Sequence, residues 1–316
     1  MINPVDLLQP ISCYPHVVLV LGKGGVGKTT VSILLARSLS QFGSTLLLSL
    51  DPAKHLVKYL GLTSEEHVEI TRNLHIQQIT IDREVEAITS KYAELLRELT
   101  PSLTVYNIEN VVDVVKYTPG VEEEVFLRAL LRVYKSNYNY IVVDTPPTGV
   151  ALRTLILPSL YLTWLNKLIE VRERIVSLRY VTARTLGRKV ELKDRALEKL
   201  YEMKSEYGYL REQLALPEKT SYVIVATPEP LPMYELRETF NFLVQKTRNK
   251  PKLLVLNRVL PESIASELGV LELQRRYIEE IASYGVKWII IEHLGRPTEN
   301  IRDIEELEGR IRVLEK

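Results

Sequence analysis

The chain has 316 residues, 46% hydrophobic and 26% charged, which suffices for one large domain or a domain carrying an inserted subdomain. Its 41 Lys+Arg and 40 Asp+Glu leave a net charge of +1, so no global field points to a specific nucleic acid or to anionic lipid as partner. One cysteine, Cys13, excludes an internal disulfide framework and a cysteine-rich metal cluster and fits a reducing, cytoplasmic setting; neither a signal-peptide pattern nor an apolar run near the roughly 18 residues that cross a bilayer is read.

Taken in chain order, short and continuously apolar runs recur between longer helical patterns. His16–Gly22 is the first and Ser44–Leu50 the second. Leu74–Thr80, Tyr138–Asp144, Ser221–Ala226, Lys252–Asn257 and Val286–Ile291 follow. Continuous rather than alternating apolar character predicts strands buried on both faces, as in a parallel sheet covered by helices. The expected fold is therefore α/β, a doubly wound, mostly parallel sheet in a single domain over 1–316. Two stretches, about 82–133 and 158–217, break the strand–helix alternation and predict an inserted helical subdomain. Within the second, Tyr161, Trp164, Leu165, Leu168, Val171, Ile175 and Leu178 recur at three- and four-residue steps, an apolar helical stripe. Arg172, Arg174, Arg179, Arg184 and Arg188 accompany it as a candidate basic face, and 301–316 reads as a short charged helix.

The loop after the first strand reads Gly22-Lys23-Gly24-Gly25-Val26-Gly27-Lys28-Thr29 and is followed by Thr30 and a helical pattern. It matches G-x-x-x-x-G-K-[ST] in the strand–loop–helix setting the pattern needs. Glycines let the backbone approach phosphates and aim N–H groups at them, and the helix N-terminus adds positive potential. Lys28 is positioned to neutralise β- and γ-phosphates, and Thr29 to offer its hydroxyl to Mg2+. The early second lysine, Lys23, resembles the deviant Walker A class, K-G-G-x-G-K-[ST]. In that class it reaches the nucleotide of a second subunit, which implies an ATP-dependent homodimer.

Two more segments carry a wider resemblance. Asp51-Pro52-Ala53-Lys54-His55 follows the second strand, and Asp144-Thr145-Pro146-Pro147-Thr148-Gly149 continues into Val150-Ala151-Leu152-Arg153. Together with Pro119-Gly120-Val121-Glu122-Glu123, Pro228-Glu229 and Leu256-Asn257-Arg258, they resemble the arsenite-pump and tail-anchored-protein-targeting ATPases over about residues 16–300. The resemblance implies that Asp51 orients the attacking water, that Asp144 and Thr29 hold Mg2+, that Gly149 senses the γ-phosphate and that Asn257 reads adenine. Departures are Val150 at the family's switch II histidine, Lys54 before His55, and a stretch near 264–274 without the family's cysteine pair, so no zinc is expected. The implied function is an ATPase switch for a client, the hydrophobic transmembrane segment of a tail-anchored protein, with a membrane receptor as further partner. Leu103–Tyr117 and the Tyr161–Leu178 stripe are the candidate groove. The alternatives are a divergent member with another protein or membrane client and an arsenite efflux subunit, for which one cysteine cannot supply a thiolate cluster. A partitioning or division-site ATPase fits poorly, because the charged tail carries Glu305, Glu306 and Glu308, the wrong sign for anionic lipid.

Overall fold

In the computed structural model, which describes residues 4–8, 11, 13–50, 56, 59, 67–80, 82–87, 120–187, 194–298 and 300–313, all seven apolar runs are strands. These are β1 (His16–Leu21), β2 (Thr45–Ser49), β4 (Leu74–Gln78), β5 (Tyr140–Asp144), β6 (Thr220–Ala226), β7 (Leu253–Val259) and β8 (Lys287–Glu292). They pair in parallel in the order β4-β2-β5-β1-β6-β7-β8. Two short antiparallel strands, β3 (Val68–Thr71) and β9 (Ile311–Val313), complete the edges of one nine-stranded sheet. Neither was expected: β3 is too exposed to carry an apolar signature, and β9 replaces the end of the helix expected over 301–316.

Continuous burial along the central strands β1, β2, β5 and β6 divides by side-chain alternation into two cores. Val17, Leu19 and Leu21 of β1 join the cluster under α3 (Val121–Val133), α5 (Arg195–Ala215), α6 (Pro230–Phe242), α8 (Leu271–Ser283) and the start of α4 (Thr148–Thr185). Val18 and Val20 face the other way, under α1 (Pro4–Leu8), α2 (Lys28–Leu39) and α9 (Ile301–Glu308). A short helix, α7 (Glu262–Glu267), precedes α8. Helices on both faces of a parallel sheet make the doubly wound arrangement. Because β1 sits between β5 and β6, the chain reverses its direction of winding there. Its carboxyl end therefore opens the crevice in which such folds place their sites.

The helical insertion differs from expectation in two respects. The helix α4 starts at Thr148, directly after β5, and runs 38 residues through Pro158. Its buried face is Ala151, Thr154, Leu155, Pro158, Leu162, Leu165 and Ile169, so only Leu165 of the expected stripe is buried. Trp164 is 70% exposed and Leu178 67%, and Leu168, Val171 and Ile175 are exposed as well. By length and composition α4 is the one helix among the described residues that qualifies to cross a membrane, which the sequence reading had not found. Its first half is packed into the core. Two arginines of the basic face are compensated: Arg172 forms a bidentate pair with Asp194, the N-cap of α5, and Arg174 pairs with Glu170. Of the 82–133 stretch, 82–87 and 121–133 are helical. Leu103–Tyr117, Asp51–His55 and Arg188 lie outside the described residues.

At the opposite end of the sheet, His16 is fully buried, with Nδ1 2.9 Å from the Glu218 carbonyl and Nε2 2.8 Å from Ser221 Oγ. A carbonyl only accepts, so Nδ1 carries the proton and Nε2 accepts from the serine. Burial, aided by Lys252 and Lys219 and opposed by the Glu218 hydrogen bond, pushes the imidazole pKa from 6.5 down to about 4. Between those values the unfolded chain is protonated and the folded one is not. The neutral ring's contribution, roughly 3 kcal/mol, is therefore present above pH about 6.5 and is lost as pH falls toward 4. Urea unfolding across pH 4–7 should show this slope, and His16→Gln should flatten it; an unchanged slope in the variant would assign the acid sensitivity elsewhere.

Candidate functional site

Between β1 and α2 the loop takes a course that only glycine permits. Gly22 has φ +150, and a Cβ there would run into the Val225 carbonyl on β6. Gly25 (φ +85) and Gly27 (φ +95) are left-handed. Gly27 is also the N-cap of α2 and supplies no side chain, so the first N–H groups of α2 have no intrahelical acceptor and point out of the helix end. A Cβ at Gly24 or Gly25 would meet nothing within 4 Å, which leaves an open cradle beside the backbone.

Behind that cradle lies a buried polar pair. Thr29 Oγ1 donates to Asp144 Oδ2 at 2.8 Å, with Ser32 Oγ and Ser49 Oγ each 3.5 Å from the same carboxylate. Asp144, the last residue of β5, has no exposed surface. Lys28 Nζ donates to the Lys23 carbonyl at 3.4 Å, which draws the lysine across the loop. A cavity of about 340 Å3 lies in front, walled by the loop, Thr29 and Thr30, and by Tyr59, Pro147 and Arg258. A second cavity of about 480 Å3 adjoins it. Thr30, Tyr59 and Arg258 belong to both, and the second adds Asn257 and the turn 292–298 after β8.

A magnesium–nucleoside triphosphate fits these residues. The hydroxyl and carboxylate stand together at the end of a P-loop, the donor pair that such a cation uses. The cradle takes phosphates, and the adjoining cavity takes a nucleoside. The hydroxyl of Thr148, at the head of α4, is buried and has no hydrogen-bond partner among the described residues, an acceptor and donor left over beside this site.

The structure thus brings together Gly22 to Thr30, Asp144 and Asn257. Gly149 is exposed in the first turn of α4, two residues beyond the cavity wall at Pro147. Asp51 lies outside the described residues. Asn257 turns out to be a tie: its Nδ2 donates to the Val26 carbonyl at 2.8 Å, and its Oδ1 accepts from Arg258 N at 2.9 Å. One amide therefore fixes the loop to β7. Sequence reasoning missed Tyr59, Arg258 and the 292–298 turn. The turn had a signal, since strand carboxyl ends are where sites gather in this fold class. The backbone of Arg258 had none.

A linkage leads away from the site. Arg153 Nε donates to Glu123 Oε1 at 2.8 Å, which clasps the second turn of α4 to the start of α3. Glu124 accepts from Arg128 at 2.8 Å and from the Tyr161 hydroxyl at 3.4 Å.

The tie at Asn257 yields a test. A Cβ on Gly27 would collide with Asn257 Nδ2 and would hold a left-handed φ. Gly27→Ala should lower stability by about 2–4 kcal/mol in urea unfolding. Because Asn257→Ala removes the colliding atom, the double variant should lose less than the sum of the two single losses. Strict additivity would show that the collision is not the cause.

Comparison with known proteins agrees with this geometry. The family model described as "Anion-transporting ATPase" matches residues 15–309. The chain is 31% identical over 269 residues to a protein of Aquifex aeolicus named "Putative arsenical pump-driving ATPase 2", covering 83% of this chain and 87% of that one. It is 29% identical over 278 residues to "ATPase GET3A" of Arabidopsis thaliana (83% and 73%), and 27% identical over 267 residues to "ATPase ASNA1 homolog" of Dictyostelium discoideum (83% and 78%). With nearly the whole described sheet inside the family match, the chain belongs to the anion-transporting ATPase family.

Proposed function

We propose that the chain is a Mg2+-ATP-dependent homodimeric ATPase switch of the deviant Walker A type, controlling capture and release of the hydrophobic transmembrane segment of a tail-anchored protein. The observation that carries this reading is α4. One helix begins at the wall of the phosphate cavity and ends in the exposed apolar stripe Trp164, Leu168, Val171, Ile175 and Leu178. At 1.5 Å per residue its 38 residues reach about 57 Å, so a shift at its head is carried to the stripe. Exposed large apolar side chains in such a row are the surface an apolar helix would cover.

The roles follow from the groups. Loop amides and Lys28 hold the β- and γ-phosphates. Thr29 and Asp144 hold Mg2+, which supplies charge neutralisation when bound. Asp51 orients the attacking water, and Gly149 reports the γ-phosphate as the head of α4 tightens. Lys23, half-buried at the loop's start, reaches across to the second subunit's nucleotide. Asp144→Asn should lower Mg2+-dependent ATP turnover about 100-fold or more, measured as phosphate release; turnover within threefold of the unmodified protein would remove Asp144 from the site.

An arsenite-coupled role, suggested by the name of the Aquifex relative, meets a chemical obstacle. Trivalent arsenic is held by several thiolates, and these 316 residues carry one cysteine, exposed at Cys13. A client other than a transmembrane segment gains some support from methionine content: among the described residues Met233 is fully buried and Met203 half-buried, so neither softens an open groove.

Co-expression with a tagged tail-anchored protein separates these readings. We expect a soluble complex that forms only with an apolar transmembrane segment, and is lost with Leu168→Asp/Ile175→Asp while ATP-dependent dimerisation persists. Equal capture of a client whose segment carries charges would sink the transmembrane reading, and arsenite-stimulated turnover would favour the pump reading.

A further inference from the structure

Arg258 is the residue of the site whose backbone has no ordinary explanation. It lies inside β7 with φ +59, a left-handed conformation that an arginine rarely takes. The strand's register against β8 shifts there: Asn257 pairs with Ile291, but Val259 pairs with Glu292. The extra residue is a β-bulge, a device that turns a side chain out of its strand's alternation. Its effect is double. Arg258 N is brought to Asn257 Oδ1, and the Arg258 side chain is placed on the walls of both the phosphate and the adjoining cavity. The other residues common to the two cavities are Thr30 and Tyr59. Many arginines here have a carboxylate at hydrogen-bond distance, as Arg153, Arg172 and Arg237 do. Arg258 is exposed and forms no ion pair among the described residues.

We propose that Arg258 binds the nucleotide at the joint between its phosphates and its nucleoside, with the guanidinium on the α-phosphate. The inference rests on the reading of the loop as a nucleotide site. A polyanion extended through both cavities must pass the three shared residues. Of these, only Arg258 carries a charge, and its planar donors suit a phosphate's oxygens. The contact is to a part common to ATP and ADP, so it anchors the nucleotide through hydrolysis rather than sensing the γ-phosphate. Tyr59 then lies beside the sugar, and the base is left to Asn257 and the 292–298 turn. The left-handed backbone is the conformational strain that this placement requires.

The test compares Arg258→Gly, Arg258→Asn and Arg258→Lys by calorimetric binding of ADP, ATPγS and GDP, with Mg2+ present, alongside thermal unfolding without nucleotide. Glycine and asparagine both accept φ +59, so each should unfold at or above the original temperature. Both should nevertheless bind ADP and ATPγS about tenfold more weakly, to the same degree for each, with the preference for ADP over GDP unchanged. Lysine should retain part of the affinity. ADP affinity within twofold of the original in both the glycine and asparagine variants overturns the proposal. So does loss confined to ATPγS, which would mean a γ-phosphate contact, or a changed ADP-to-GDP preference, which would mean a base contact. If the unmodified protein binds none of the three, with Lys28→Ala as the matched blank, the nucleotide reading itself fails.

Discussion

A carboxylate with no exposed surface must be satisfied by its neighbours, and the described neighbours of Asp144 come from two other segments. Thr29 and Ser32 belong to α2, and Ser49 ends β2. Leaving a buried charge unmatched costs several kcal/mol, more than a marginal fold can absorb. The sheet order β2-β5-β1 is what sets these segments side by side, so fold and site are one constraint. It also means that the Thr29 hydroxyl and the Asp144 carboxylate are held together by the fold itself.

The second organising element is the long helix that leaves β5. Its first turns are held twice, by Arg153 on Glu123 and by Tyr161 on Glu124, both glutamates of α3. Past Ile169 its buried side chains end. Beyond that point it is held at its surface instead, by Arg172 on Asp194 and by Glu173, which accepts from the Tyr201 hydroxyl of α5. The helix is therefore anchored in the core at the end that meets the phosphate cavity and only by polar contacts to α5 farther out.

Much of this was legible from residue order. Strands buried on both faces are written as unbroken apolar runs, and all seven runs were strands. The loop's glycines and its lysine and threonine needed no structure, because the geometry they serve is local. What escaped had no local signature. The helical stretch was expected to begin at about 158, yet Pro158 sits within α4, where only one backbone N–H is forgone. The stripe from Tyr161 to Leu178 was correctly helical in period, but period cannot say whether a second surface covers it; among the described residues mostly none does. Asn257 was read as reaching the base; the tie its amide also makes to Val26 and Arg258 had no local signature, because those partners are distant in sequence or in backbone geometry. The bulge at Arg258 depends on pairing with β8 and has no counterpart in composition.

The two outer strands have a consequence for how the molecule meets others. The parallel strands end laterally in β3, four residues long, and β9, three residues long, and both run against their neighbours. Outer strands this short present few unpaired amides and carbonyls, and Arg312 on β9 pairs with Glu292, which sets charge along that margin. Among the described residues, lateral growth of the sheet from molecule to molecule thus has little template on either side, which guards against the fibrous pairing to which a bare parallel strand is prone.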